Sequence, residues 1–509
     1  MSDMSIVQQN ILSNFGGNIW VGLMSLVFVP VYIHFIGIEA FGLVGIFVSL
    51  IGVFALLDMG LSNTLNREMA RLFPQGDNAR EMRDLVRTLE VPYWACGLFI
   101  GIGIAALAPV IAYHWVNTEN LSPPTVRLAI MIMGFAIAFQ WPQSLYSGGL
   151  MGLQRQGVLN VILSMMATVR GVGAVLTLWL VSPTVEAFFL WQIVVSLTKT
   201  GLLALFFWRC LPHDDQAPRF RPRLLVNIWR FATGVTGITI LATLLTQLDK
   251  IILSRMLSLE MFGYYSLAYI VAITLYRFVG PIFSAVYPKL VNLTALNFNE
   301  ELIIFYHKGA QLLSVLVLPT AFILVLFSKE VLLLWTRNPV TTEHTYVLVS
   351  ILVMGTALNG LMNIPYALQL AAGWTSLAFF INLVSVLFLV PLMIVLTNLY
   401  GAIGAASVWV ILNGGYIIFA IPMMHKRLLP LEKWRWYKED VGIPFVVSLV
   451  TAFSFRFFMP ASFKGFYLVL YLAAASFLTL ILTAMATPVT RVWMKRQVGV
   501  LIKRDTVKI

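Results

Sequence analysis

The chain has 509 residues, of which 59% are apolar and only 11% charged, with a formal net charge of +12. A soluble domain carries about 25% charge, so a soluble enzyme, a disordered chain and a disulfide scaffold are excluded. At about 20 apolar residues per membrane span, the composition leaves room for at most about 15 spans. Cys96 lies inside an apolar run and Cys210 ends one, so neither implies a disulfide. The first apolar run, near 11–36, follows ten residues without Lys or Arg and is not followed by a small-residue cleavage motif; it reads as an uncleaved first span. Further runs fall near 40–65, 88–115, 126–150, 159–181 and 186–208. A second set falls near 228–256, 262–285, 308–328, 344–370, 376–397 and 403–424, and two more near 441–460 and 465–487. The chain is thus expected to be an all-α membrane protein of about 14 spans. The ten-residue alternation of a membrane β-barrel is absent.

Lys and Arg set the orientation, because cytoplasmic loops retain them. With both termini placed in the cytoplasm, the loop after the second run carries Arg67, Arg71, Arg80, Arg83 and Arg87. The connection after the sixth carries Arg209, Arg219, Arg221, Arg223 and Arg230. The stretch after the twelfth carries Lys426, Arg427, Lys433, Arg435 and Lys438, and the tail Arg491, Lys495, Arg496, Lys503, Arg504 and Lys508. Arg155, Lys289 and Lys308 fall on the same side. The opposite loops hold Lys329, Arg337 and Lys464, with Arg127 and Arg255 at span ends. The positive charge is therefore mostly topology; it implies anionic lipid headgroups as neighbours and no nucleic acid. The loops are too short for an extramembrane domain, and a GxxxxGK[ST] phosphate loop is missing. The six histidines are scattered, without HExxH or paired-carboxylate spacing. No metal, cofactor or enzymatic chemistry is expected.

An internal repeat organises the runs. Ile38-Glu39-Ala40-Phe41-Gly42 opens the second run, and Leu259-Glu260-Met261-Phe262-Gly263 opens the eighth. At the same offset Gly16 corresponds to Gly237, Ile19 to Ile240 and Leu23 to Leu244. Six spans is an even number, so both copies keep one orientation. The expectation is two six-helix lobes in a parallel, pseudo-twofold arrangement that place a substrate path between them. Residues 1–208 form the first lobe, 209–227 a basic cytoplasmic linker and 228–424 the second lobe. Residues 425–509 supply two extra helices and a basic cytoplasmic tail.

Several motifs carry a family resemblance. Asn14-Phe-Gly-Gly-Asn18-Ile-Trp20 is followed by Pro30, Tyr32 and Gly37, then by Asp58-Met-Gly60-Leu61 and Arg67-Glu68-Met-Ala70. In the second half stand Asp249-Lys250, Phe262-Gly263-Tyr264-Tyr265-Ser266, Tyr287-Pro288 and Gly401-Ala-Ile-Gly404. In order and spacing these resemble Wzx-type polysaccharide flippases of the multidrug/oligosaccharidyl-lipid/polysaccharide exporter superfamily. The resemblance implies alternating access and movement of polyprenyl-pyrophosphate-linked oligosaccharide, as for O-antigen, from the cytoplasmic to the periplasmic leaflet of the bacterial inner membrane. It also implies a place beside a polysaccharide polymerase. A lipid II flippase and a multidrug cation/H⁺ antiporter are the alternatives within the superfamily. A membrane glycosyltransferase is disfavoured by the short loops.

Charges inside the bilayer carry the functional argument. Each costs at least ~2.5–3.5 kcal/mol at the bilayer centre and so faces a partner or water. Arg170 lies at the middle of the fifth run, Lys199 near the middle of the sixth, Lys250 in the seventh and Arg277 in the eighth. These cations are candidates for binding a pyrophosphate, with structural pairing of Arg277 to Asp249 or Asp58 as the competing reading. The cationic excess argues against a cation exporter. Asp58 and Asp249 are candidates for H⁺ or Na⁺ coupling, while Asp58 could instead steady the inner loop beside Arg67. Asp249 and Lys250, about 100° apart on a helix, are expected not to face each other. Asn14, Asn18, Trp20 and Asn359 are candidates for lining a wet, sugar-binding cavity.

Overall fold

The computed structural model describes residues 3–73, 78–222, 243, 246–460 and 462–492, with side chains placed from residue 13 onward except Phe15. Gly237, Ile240, Leu244, Arg223, Arg230 and the tail beyond 492 lie outside the described residues, as does most of the expected seventh run, which is helical over 246–256. The fold is helical. One parallel β-bridge, Asn117 to Ser258, is the sole strand-type pairing among the described residues.

The first unit contains α1 (Asp3–Val27), α2 (Val29–Phe54), α3 (Leu61–Leu72), α4 (Ala79–Val110), α5 (Pro123–Gln140), α6 (Gln143–Gly152), α7 (Gln156–Leu180) and α8 (Val185–Cys210). Then follow α9 (Leu259–Ala272), α10 (Tyr276–Ala295), α11 (Asn299–Leu326), α12 (Ser328–Thr336), α13 (Pro339–Leu361), α14 (Asn363–Ala371), α15 (Thr375–Gly415) and α16 (Ile421–Leu428). The last two are α17 (Ile443–Phe457) and α18 (Gly465–Ala486). Starts follow local chemistry. Ser122 and Asn338 accept the backbone N–H groups of Thr125 and Thr341 ahead of helices that begin with Pro123 and Pro339, and Thr184 caps α8 through Ala187 N–H.

Among the described residues eleven helical stretches are long and apolar enough to cross a membrane. The longest, Thr375–Leu428, has 54 residues. As one straight rod it would run about 80 Å, against a hydrocarbon core of about 30 Å. Gly401, at φ 59° and ψ −140°, turns the chain back and divides it into the expected eleventh and twelfth runs. Gly37, at φ 80° and ψ 164°, does the same within α2, separating the expected first and second runs. The second run also ends earlier than expected. Ala55–Asp58 is a 3₁₀ turn, followed by Met59 and Gly60 in left-handed conformation, so Asp58 sits at a helix break rather than about two turns inside a helix.

The chain forms two compact units, Met1–Ser266 and Leu267–Ile509. In the first, α4 packs on α5, α5 on α8, α1 on α7 and α3 on α6, around a core that includes Leu65, Met69, Leu89, Tyr93, Tyr146 and Phe207. Residues after α8 stay on α4: Asp84 pairs with Arg221 at 2.5 Å and accepts Arg219 N–H at 2.7 Å. The repeat motifs meet within this unit. A β-carbon on Gly42 would collide with the carbonyl oxygen of Leu259, and one on Gly263 with that of Ile38. The contact is reciprocal between equivalent positions, the signature of an approximate twofold. In the second unit α11 packs against α13, α17 and α18, α13 against α15, and α10 against α14.

Candidate functional site

Arg170 leaves α7 within the sequence Arg-Gly-Val-Gly. The ring of Phe28 fills the space a side chain on Gly171 would occupy, and the indole of Trp191 does so at Gly173. Two missing side chains thus let neighbouring elements close on both sides of the arginine. Trp191 donates its Nε1–H to the Arg170 carbonyl at 3.2 Å. Tyr32 and Phe188 stand edge to face at 5.1 Å, with Phe28 stacked on Tyr32 at 6.3 Å, and Tyr32 is within electrostatic reach of Arg170. Arg170 as a whole residue keeps an exposed surface on α7.

Lys199, half-buried on α8, lies within electrostatic reach of Arg170. Neither cation has a carboxylate within 4.0 Å among the described residues. Two like charges held close without a counter-ion raise the local positive potential. In a span such an arrangement requires water or an anion. A guanidinium fork beside a compact ammonium suits the several oxygens of a phosphate or pyrophosphate.

The structure treats the other expected residues differently. Lys250 is buried and neutralised. Its Nζ lies 3.2 Å from Asp249 Oδ1 and donates to the Thr246 carbonyl at 2.6 Å, while Tyr265 donates to Asp249 Oδ2 at 3.0 Å. This corrects the expectation that Asp249 and Lys250 do not face each other. The long lysine stem folds back, so an angular offset at the Cα atoms does not keep the heads apart. Arg277 is exposed on α10 in the second unit.

Asp58 Oδ2 accepts from Ser62 Oγ at 2.7 Å, and Oδ1 from Ser144 Oγ at 3.1 Å and from the Tyr93 hydroxyl. These hydroxyls tie the helix break to α3, α4 and α6.

Of the polar residues, Asn14 and Trp20 clamp α1 to α7. Asn14 donates to Gln156 at 2.5 Å and accepts from Asn160 at 2.5 Å, and Trp20 donates to Thr168 at 2.9 Å. Asn18 is exposed on α1. Asn359 accepts from Tyr276 at 2.8 Å and donates to buried Asn413 at 2.8 Å, joining α10, α13 and α15. Tyr32 and Trp191 escaped the sequence reading as neighbours of Arg170. The small residues flanking Arg170 were the available signal that aromatic rings would pack there.

Eleven helical stretches of membrane length among the described residues define a multi-pass membrane protein. The chain matches the family described as Polysaccharide biosynthesis protein over residues 7–294, and it belongs to that family. It is 22% identical over 412 residues to the Shigella flexneri protein named "Putative O-antigen transporter", covering 80% of this chain and 94% of that one. Among solved structures it is similar to the lipid II flippase MurJ in an inward closed conformation, with a TM-score of 0.69, 13% identity and coverage of 94% of this chain and 98% of that one. It is also similar to an inward-facing MATE multidrug resistance transporter of the MOP superfamily, with a TM-score of 0.64, 15% identity and coverage of 83% and 96%. The fold is that of this superfamily, an all-α, two-lobed membrane protein.

Proposed function

We propose that the chain is a flippase. It moves a polyprenyl-pyrophosphate-linked oligosaccharide from the cytoplasmic to the periplasmic leaflet of the bacterial inner membrane, for O-antigen or related surface polysaccharide. Family membership and the O-antigen transporter relative support this reading. The observation that carries it is the Arg170–Lys199 pair, two membrane-embedded cations with no carboxylate partner among the described residues. They receive the pyrophosphate, and Tyr32 and Trp191 frame it. Lys250, engaged by Asp249, is left out of this assignment. Both termini face the cytoplasm, the polysaccharide polymerase machinery receives the product, and exchange with H⁺ or Na⁺ supplies the driving force.

The second reading is a lipid II flippase, favoured by the likeness to MurJ over 94% of this chain. A multidrug cation antiporter is disfavoured by the positive sign of the Arg170–Lys199 pair. The test is complementation of a strain lacking its own O-antigen flippase, with membrane insertion checked for each variant. Arg170→Ala and Lys199→Ala should each impair surface O-antigen while the protein still inserts. Full complementation by both would overturn the assignment of the Arg170–Lys199 pair, and rescue of a lipid II flippase deletion instead would transfer it to the second reading.

A further inference from the structure

His307 and Gln311 lie about one turn apart on α11, and both reach the carboxylate of Asp440. His307 is 1% exposed and Asp440 is fully buried. The imidazole Nδ1 lies 2.5 Å from Asp440 Oδ2, and Nε2 lies 2.9 Å from Glu432 Oε2. Gln311 Nε2 donates to the other oxygen of Asp440 at 2.9 Å. Among the described residues, no Lys or Arg stands within 4.0 Å of Asp440, so His307 is the basic group on which its charge depends.

The hydrogen-bond geometry fixes a proton count. A neutral imidazole has one N–H and one lone pair. With a carboxylate oxygen at hydrogen-bond distance from each ring nitrogen, a neutral ring between two ionised carboxylates would set a lone pair against an anion. Two protons must therefore sit on the two N···O lines. They are arranged either as an imidazolium between two carboxylates or as a neutral imidazole with one carboxylic acid. In both forms the cluster holds one proton more than a neutral histidine beside two carboxylates.

The other charged groups facing the cluster leave that count unchanged. Arg435 pairs with Glu432 at 3.5 Å and with Glu439 at 3.2 Å on the solvent side. His425 meets the Tyr306 hydroxyl at 3.3 Å and backs onto the Ile421 carbonyl at 3.0 Å. Lys433 lies within electrostatic reach of His425, and Tyr437 gives its hydroxyl to the Ile417 carbonyl. Glu432, with a side chain 20% exposed, connects the buried imidazole to water and gives the proton a way in and out.

The proton sits at a mechanical junction. Asp440 belongs to the π-helical segment Trp436–Gly442 that leads into α17, a local widening of the helix that often marks functional sites. Gln311 also accepts the backbone N–H of Val489, just past α18, at 3.0 Å. One polar stripe on α11 thus holds the start of α17 and the end of α18.

We propose that His307, Asp440 and Glu432 form a binding site for a single exchangeable proton, and that this proton latches the α17–α18 pair to α11. The latch is engaged while the proton is bound and releases as pH rises and the proton leaves. It stands independently of the substrate assignment.

The test uses the full-length protein in detergent micelles, labelled with ¹⁵N-histidine. Imidazole nitrogen shifts are followed between about pH 5 and 8, the range in which an ordinary histidine changes charge. The His307 signal is identified by its absence from the His307→Asn protein. A pH-dependent change at its two nitrogens should report loss of the shared proton. Hydrogen–deuterium exchange of 433–442, corrected for the intrinsic pH dependence of exchange, should rise several-fold over the interval in which His307 titrates. In Asp440→Asn the segment 433–442 should exchange fast throughout. Wild-type His307 nitrogen shifts that change nowhere in this range would overturn the site. Exchange of 433–442 that stays flat across the His307 titration would overturn the latch. The rise of exchange at 433–442 with pH is read on the wild-type protein alone, so it stands even where a variant does not fold.

Discussion

Gly263 packs directly against the carbonyl oxygen of Ile38, and its repeat partner Gly42 packs in the same way against Leu259. Helices in a membrane gain little from apolar burial alone, so they associate where small residues allow close backbone approach. A methyl group at either position would meet a backbone carbonyl, which cannot rotate aside as a side chain can. Gly42→Ala and Gly263→Ala should each destabilise the protein by about 1–3 kcal/mol, measured by thermal or denaturant unfolding in micelles. Gly103→Ala, where an added β-carbon meets nothing within 4 Å, is the control and should leave stability unchanged.

Arg170 and Lys199 should separate by chemistry. Arg170→Lys keeps the charge but not the planar fork, so partial function is expected, whereas Arg170→Ala should lose it. Removing one charge-assisted contact to the anion, at about 1.5–3 kcal/mol, corresponds to roughly tenfold or more in affinity. Binding of a polyprenyl pyrophosphate to purified protein measures it. Because neither cation has a described carboxylate partner, the same variants should unfold at wild-type temperatures or above.

The Asp249–Lys250 pair predicts the opposite pattern. Asp249→Asn leaves a buried ammonium without its counter-charge and should destabilise the protein by about 3–5 kcal/mol, whereas Asp249→Asn combined with Lys250→Met should recover most of that loss. Tyr265→Phe, which removes one hydrogen bond to Asp249, should cost about 1 kcal/mol. A double-mutant cycle on unfolding free energies reads all three; additive single effects would show the pair to be uncoupled.

Asp58, held by three hydroxyl groups, should behave as a tie between helices. Asp58→Asn and Tyr93→Phe are each expected to reduce stability by about 1–3 kcal/mol while retaining complementation at permissive expression. Loss of transport by Asp58→Asn at unchanged stability would instead assign that carboxylate to ion coupling.

Much of this was legible in the chain itself. Apolar runs marked the helices, because membrane length and helical rise leave few alternatives. The repeat was visible as two short motifs, and the reciprocal packing of Gly42 and Gly263 shows why those residues recur. Arg170 and Lys199 stood out because a charge within an apolar run is costly. His307 did not: its partners lie 125 and 133 positions away, and local spacing carries no trace of such pairings. The same holds for Glu39, buried at the start of the second run, which accepts the N–H groups of Glu119, Asn120 and Leu121.

By itself the sequence determined that the chain lives in a bilayer, that it is helical and that it is built from two related halves. Those properties depend on composition, periodicity and self-similarity, which are summed along the chain. The tertiary structure alone decided which of the charges in apolar runs are paired within the fold. Lys250 and Arg170 look alike as cations in apolar runs, yet among the described residues one finds a carboxylate on the adjacent residue and the other has none within 4.0 Å. Electrostatic neutralisation works over a few ångströms, and only folding sets which side chains come within that distance.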